Sequence, residues 1–165
     1  MASFRADLVD GLLADAGVSA LVGTRVFPII FTFEDMLNSK ANKNKFPRIT
    51  VEQLSREQED NINTHDQLVD AIYQVSLFHE VHIKAGRSRV NSVVVKERNK
   101  IRTGLDNLFD AVETYLRDTI FQAVVGSHYV RRSHIANSIE EEFRVERNRT
   151  ILTNRIVYEC SYNKT

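Results

Sequence analysis

Apolar residues near the start of the chain recur with the period of a helix. Leu8 and Leu12 lie four residues apart, and other apolar residues repeat at spacings of three and four across residues 3–16. This spacing predicts an amphipathic helix. Ser3 suits the N-cap position of that helix, and Gly17 suits its C-terminal stop.

A period of two, typical of half-buried strands, follows in later segments. We expect strands over residues 47–54, 71–83, 125–138 and 149–162. The second of these has Tyr73, Val75 and Leu77 on one face, and its other face is also partly apolar. Earlier in the chain, residues 18–27 predict one helical turn and then a short extended piece that ends at Pro28.

Three segments lack a clear period. Residues 31–46 are rich in Asn, Ser and Lys and are expected to form an exposed loop. Residues 55–70 are strongly acidic, which favours a solvated connection between two strands. Residues 139–149 are compatible with an extended turn region or with a short helix.

A long apolar stripe lies in the second half of the chain. Over residues 88–118, apolar residues such as Ile101, Leu105 and Leu108 recur three and four positions apart, which predicts one long helix. The valine run 93–95 is β-branched, so the first third of this segment has an extended alternative.

The order of these elements indicates the fold class. Strands come in pairs on either side of the long helix, and few helices separate them. This grouping is typical of α+β domains with antiparallel sheets. We expect a single domain over residues 1–165: a mainly antiparallel sheet of about four strands, packed with an N-terminal helix and one long helix.

Composition fits an ordinary globular domain. The 165 residues are 42% hydrophobic and 27% charged. No apolar stretch approaches the roughly 20 residues that cross a bilayer, and no signal peptide opens the chain, so we expect a soluble protein without a membrane partner. The 22 Lys and Arg balance the 22 Asp and Glu, whereas proteins that bind nucleic acid by bulk charge are basic.

Candidate metal ligands and nucleophiles do not converge in the sequence. His79 and His82 fall on opposite faces of a predicted strand, and His128 and His134 share a face but lie about 20 Å apart. Cys160 is the only cysteine, so it forms no intrachain disulfide, and its place on the apolar side of a strand suggests a core residue. Neither a nucleophile motif nor a phosphate-binding loop is present. We therefore expect no catalytic residue, cofactor or metal.

Charge is segregated along the long helix. Residues 84–102 hold seven basic residues and one acid, and residues 103–118 hold four acids and one base. Because this order opposes the helix macrodipole at both ends, the charges are interpreted as a head-to-tail interface. The alternative is a solvated helix face. The candidate interface residues here are Arg87, Arg89, Lys96, Arg98, Arg102, Asp106, Asp110 and Glu113.

The opening of the chain contains a phrase of the type D-x-x-V-x-x-L-V-G-x-R-V-[YF]-P. It is formed by Asp15, Val18, Leu21, Val22, Gly23, Arg25, Val26, Phe27 and Pro28. A loop, a P-x-I-x-V strand at Pro47, a second strand, a helix and two closing strands follow. In this phrase and this order the chain resembles the phage tail-completion proteins, which are similar to tail terminators of the minor tail protein U type.

The resemblance implies a structural role in the virion, in the tail and neck, after assembly in the host cytoplasm. It implies a ring of copies, typically a hexamer, that caps the tail tube, stops its growth and joins it to the neck. The partners would be other copies of the chain, the tail tube protein, the neck or connector protein, and DNA passing the lumen. It implies no enzyme activity.

Within this hypothesis a lysine-rich loop would meet the tube or the neck, through Lys40, Lys43 and Lys45. One alternative is a head-completion or neck protein. A more remote alternative is a small nucleic-acid-binding module that uses the basic face of residues 84–102.

Overall fold

A mostly antiparallel sheet, with helices packed on one face, forms the centre of the fold. The computed structural model describes residues 3–29, 32, 46–60, 67–82, 91–146 and 149–165. In chain order the elements are α1 (Phe4–Ala14), α2 (Ala16–Val22), β1 (Val26–Phe27), β2 (Arg48–Asp60), β3 (Gln67–His82), α3 (Asn91–Thr114), a π-helical turn (Tyr115–Thr119), β4 (Val124–Val125), β5 (His128–Glu146) and β6 (Arg149–Lys164).

The strands described here form one sheet in the order β1-β2-β3-β6-β5-β4. β1 runs parallel to β2, and every other neighbouring pair is antiparallel. The four long strands are those that the sequence predicts, and the two short ones lie at the margins. The α+β class and the mainly antiparallel sheet are therefore confirmed.

The first helical segment is divided at Asp15. Ser3 caps α1 as predicted, since its side chain accepts a hydrogen bond from the N–H of Ala6. The prediction that Gly17 stops this helix is wrong, because Gly17 lies inside α2. Asp15 has an extended backbone, and its Oδ1 accepts the N–H of Val18 at 2.9 Å. A side chain that caps the next helix ends the first one early.

The acidic segment 55–70 belongs largely to strands. β2 continues to Asp60 and β3 begins at Gln67, so the predicted solvated connection is wrong on both sides of residues 61–66, which lie outside the described residues. A bulge between Gln53 and Ser55 shifts the alternation of apolar and polar residues. A bulge adds one residue to a strand, and this hides the period of two from the sequence.

Residues 139–146 extend β5. They pair with β6, for example at Phe143 and Ile151, so the short-helix alternative for residues 139–149 is wrong. The extended alternative is correct up to Glu146, and residues 147–148 lie outside the described part of the chain.

The long helix is confirmed over the described part of the predicted segment, and residues 88–90 lie outside that part. α3 starts at Asn91 and includes the valine run 93–95, so the extended alternative for these residues is wrong. Beyond Thr114 the helix continues as the π-helical turn. A Cβ at Gly104 would lie 3.4 Å from Nε2 of His79, which shows how closely α3 approaches β3.

The core lies between the helices and one face of the sheet, called here the inner face. Tyr73 and Tyr158 are fully buried there, and the ring of Phe4 on α1 stacks on Tyr162 at a centroid distance of 4.2 Å. Cys160 is buried among these residues, as its predicted position indicated. Phe78 and Ile151 form a smaller cluster on the opposite, outer face.

Candidate assembly surface

The outer edge of β5 is open over most of its length. β4 pairs with β5 only at His128 and Tyr129, and in the part of the chain that the structure describes no strand pairs with the β5 edge, defined here as residues 131–146. Residues 136–140 are all exposed, including Ile139 at 47%. An edge of this kind presents backbone N–H and C=O groups to another strand.

The opposite margin of the sheet has a second open edge. β1 pairs with β2 only at Ile49 and Thr50. The β2 edge, residues 51–60, has no further strand beside it among the described residues. Residues 53–58 are all exposed, and Leu54 is 49% exposed. Among the described residues the sheet thus has two different open edges, one on each side.

The strand register places particular residues of the two edges at the same level. Glu57 on β2 pairs with Asp70 on β3, Asp70 pairs with Ser161 on β6, and Ser161 pairs with Arg132 on β5. These four residues form one row across the sheet. Three strand spacings separate the ends of the row, which is about 14 Å.

The ends of this row carry opposite charges. Glu57 and Arg132 are both exposed, and neither has an ion-pair partner among the described residues. Asp70, by contrast, accepts a hydrogen bond from the hydroxyl of Ser161. The next row on the same face also holds two polar side chains in contact with each other. Nε2 of His134 lies 3.3 Å from a carboxylate oxygen of Glu159.

A groove of about 340 Å³ lies on the outer face between the two edges. It is lined by Ser55, Glu57, Asp70, Ala71, Ile72, Arg132, Ser133, His134, Glu159, Cys160 and Ser161. Burial, with the charge of Asp70 nearby, raises the pKa of the Cys160 thiol far above its usual range, which favours the neutral thiol over the thiolate. Most of the residues that line the groove are polar or charged.

Asp7 and His128 form a buried polar cluster on the inner face of the sheet. Nδ1–H of His128 donates to Oδ2 of Asp7 at 2.7 Å, and the backbone N–H of Ser127 donates to the same oxygen at 2.9 Å. The Ser127 hydroxyl also lies 3.2 Å from that oxygen. All three groups converge on one carboxylate oxygen, so the cluster fastens α1 to the β4–β5 turn and does not activate the serine.

The two histidines of β5 lie on opposite faces of the sheet. A bulge between Val130 and Arg132 reverses the alternation, so that His128 is buried on the inner face and His134 is exposed beside Glu159 on the outer face. The prediction that the two histidines share a face is therefore wrong. Across the described residues there is no group of three His, Cys, Asp or Glu that could hold a metal ion.

The opening phrase has a local structural role. Asp15 caps α2, and Gly23 ends α2 with a positive φ of 61°, which favours glycine. Arg25 then joins this segment to the sheet, because its Nε donates to the carbonyl of Pro47 at 2.7 Å and its own carbonyl accepts the N–H of Ile49 at 2.9 Å. The phrase therefore builds the link from α2 to the β2 margin.

The comparison with solved structures gives a match over nearly the whole chain. A chain of the structure titled "Virion of native gene transfer agent (GTA) particle" superimposes with a TM-score of 0.51 at 12% sequence identity. The match covers 98% of this chain and 95% of that chain. This chain shares its fold with a chain of a virion. No protein-family model and no curated protein matches the sequence.

The structure places some of the sequence-predicted interface residues in contacts within the chain. The guanidinium of Arg102 on α3 lies 3.0 Å from a carboxylate oxygen of Glu140 on β5, and both side chains are largely exposed. Glu113 on α3 lies 2.8 Å from Arg117. These charges are therefore at least partly satisfied without a second copy.

Of the other predicted interface residues, two have side chains that the structure describes. Asp106 and Asp110 are exposed on α3. Lys96 and Arg98 lie on α3 where the structure describes the backbone only. The predicted residues outside the described part of the chain are Lys40, Lys43, Lys45, Arg87 and Arg89.

The sequence pattern does not single out Glu57 or Arg132. Glu57 lies in the segment interpreted as a connection, and Arg132 lies beside a bulge. The signal that was present is the polar, charged character of both strand segments, which is typical of sheet edges. Their common level follows only from the pairing of four strands.

No helix among the described residues is long and apolar enough to cross a membrane.

Proposed function

We propose that this chain is a structural subunit of a phage-like virion. The observation that carries the proposal is the fold match to a virion chain, which extends over 98% of this chain and 95% of the other. The match therefore compares nearly the whole of the two chains with each other.

We propose further that it acts in the tail and neck as a tail terminator, with the whole chain as one domain. Two features support this assignment. The opening phrase resembles that of tail-completion proteins, and the order of elements in the fold is the order expected for that family. Copies would form a ring, hexameric by the resemblance, on the end of the tail tube. The ring would occupy the surface that the next tube subunit needs, and its other side would meet the neck protein.

The two open edges of the sheet agree with a ring subunit. A surface that is different on its two sides forms a head-to-tail contact, which repeats and closes when the rotation permits. DNA that passes the lumen would meet side chains without base-specific contacts, so its affinity would depend on salt and not on sequence. The partners are thus other copies, the tube protein and the neck protein.

The proposal is tested by deleting the gene that encodes this chain and imaging the resulting phage-like particles by electron microscopy. Overlong tails are expected, because tube growth would have no terminator. Tails of normal length beside open heads would instead assign the chain to the head-completion or neck class. Particles with normal tails and closed, joined heads would contradict both roles.

A further inference from the structure

We propose that the β5 edge of one copy pairs in antiparallel fashion with the β2 edge of the next, with Arg132 against Glu57. The occupant of each open edge is thus a second copy of this chain. The inference rests on the proposed function, because it identifies the contact that would hold the ring together.

The direction of the strands permits this pairing without any rearrangement. β2 and β3, β3 and β6, and β6 and β5 are all antiparallel pairs, so β5 runs opposite to β2. When two copies stand side by side in the same orientation, the β5 edge of one copy meets an antiparallel β2 edge. The sheet then continues from copy to copy, and the edge N–H and C=O groups gain partners.

The charges select the level at which the two edges meet. Side-by-side copies at equal height bring Arg132 of one copy next to Glu57 of the other, because both belong to the same row across the sheet. Both residues point to the outer face and are exposed and unpaired among the described residues. Opposite charges on directly opposed strand positions stabilise pairing, and like charges oppose it.

Bulges restrict the pairing to a short segment. β5 has bulges between Val130 and Arg132 and between Ile135 and Asn137, which leave residues 132–135 regular. These residues lie level with residues 53–57 of the β2 edge, which has its own bulge after Gln53. Since bulges distort an edge, an arbitrary strand pairs poorly with it. The edges are therefore selective for each other, and open-ended aggregation is disfavoured.

A pair of cysteines tests the contact directly. Glu57→Cys and Arg132→Cys in one chain would lie about 14 Å apart across the sheet, whereas a disulfide requires Cα atoms within about 7 Å. Any disulfide between these positions must therefore join two copies. The native Cys160 is buried and contributes little background.

Particles that carry the double-cysteine chain, after mild oxidation, should give a ladder of covalent multimers on a non-reducing gel that collapses on reduction. The single variants should remain monomers, because each contact between copies then holds only one cysteine. Asp10→Cys combined with Arg132→Cys is the mismatched control, because Asp10 is exposed on α1, away from both edges, and it should give no ladder.

The outcomes separate this inference from the proposed function. Particles that contain the double variant, have tails of normal length and yield only monomer on the gel would overturn the edge pairing and leave the terminator role intact. If gene deletion leaves the particles normal, the terminator role fails. The purified chain at high concentration is then tested in the same way: a ladder supports the pairing and a lone monomer overturns it.

Charge reversal gives an independent readout. Glu57→Arg and Arg132→Glu should each lower the yield of correctly capped tails several-fold while thermal unfolding of the subunit stays unchanged. The double reversal should restore the yield, because the pair is complementary again. Asp10→Arg is the matched control and should have no effect. A double reversal no better than either single change would contradict the proposed contact.

Discussion

At the scale of the residue, Asp7 shows how one polar group fixes the position of a helix. Asp7 and His128 are 7% and 6% exposed. Burial by itself would raise the pKa of Asp7, but the N–H of Ser127, the His128 ring and the Ser127 hydroxyl together lower it below its usual value. The charged carboxylate is therefore the form that the fold stabilises.

Gly126 is required at the same place for two reasons. Its φ is +58°, which side chains rarely adopt, and a Cβ there would overlap the Asp7 carboxylate. The turn between β4 and β5 can thus approach α1 closely only with glycine.

Asp7→Asn should destabilise the subunit by about 1–3 kcal/mol at neutral pH, because the buried network exchanges a charged acceptor for the neutral, weaker oxygen of an amide. Urea unfolding of the two proteins measures the difference. Asp10→Asn, on the exposed side of the same helix, is the control and should change stability little. Equal losses for the two variants would show that the cluster does not hold α1.

The same pair of proteins should show a defined pH dependence. The pKa of Asp7 is lower in the folded chain than its usual value of 3.8. Its stabilisation is therefore complete above that value and is lost as the pH falls through the folded pKa. The difference in unfolding free energy between wild type and Asp7→Asn should shrink in acid, as the pH falls below 3.8. A difference that grew in acid would contradict this assignment.

At the scale of the element, α1 packs against the π-helical turn through a glycine. A Cβ at Gly11 would overlap the hydroxyl oxygen of Tyr115 and lie 3.0 Å from its Cζ. Burial, with Asp15 nearby, raises the pKa of Tyr115 to about 12, so its hydroxyl is neutral at physiological pH. The helix contact therefore depends on a missing side chain and not on a charge.

Gly11→Ala should destabilise the subunit by about 1–3 kcal/mol through overpacking, although alanine favours a helix by about 1 kcal/mol over glycine. Adding Tyr115→Phe should restore much of the loss, because it removes the oxygen that the methyl group meets. Thermal unfolding of both single variants and the double variant gives the coupling. Purely additive effects would mean that the two residues are not in contact.

The elements themselves were largely predictable, and their ends were not. The apolar stripe of residues 88–118 and the alternation around Tyr73 identified α3 and β3. The errors occur where one residue alters a local period, as at Asp15 between the two first helices and at the bulge after Gln53. A bulge or a cap is set by the neighbouring strand or helix, and the sequence pattern averages over it.

At the scale of the whole molecule, we expect a second contact surface in the assembly, formed by a segment away from the sheet edges. Lys40, Lys43 and Lys45 lie outside the described residues, and we propose that their segment meets the tube or the neck. The edges would then join copies to each other, and the lysine segment would join the ring to its neighbours.

Deletion of residues 38–45 should lower the yield of joined heads and tails while the subunit remains folded, because the removed residues would act only at a partner surface. Counting joined particles by electron microscopy measures the yield, and thermal unfolding of the purified chain is the control. An unaltered yield would refute this role. Together with the cysteine ladder, the deletion distinguishes contacts between copies from contacts with other proteins.

The sequence by itself determined the class of the fold, the long strands and helices, and the absence of known catalytic motifs. These follow from periods of 2 and 3.6 residues, which are local properties of the chain. Only the tertiary structure decided that Glu57 and Arg132 stand in one row, that His128 and His134 lie on opposite faces, and that Arg102 meets Glu140. The physical reason is that strand pairing joins residues distant in sequence, and a single bulge changes which face they share.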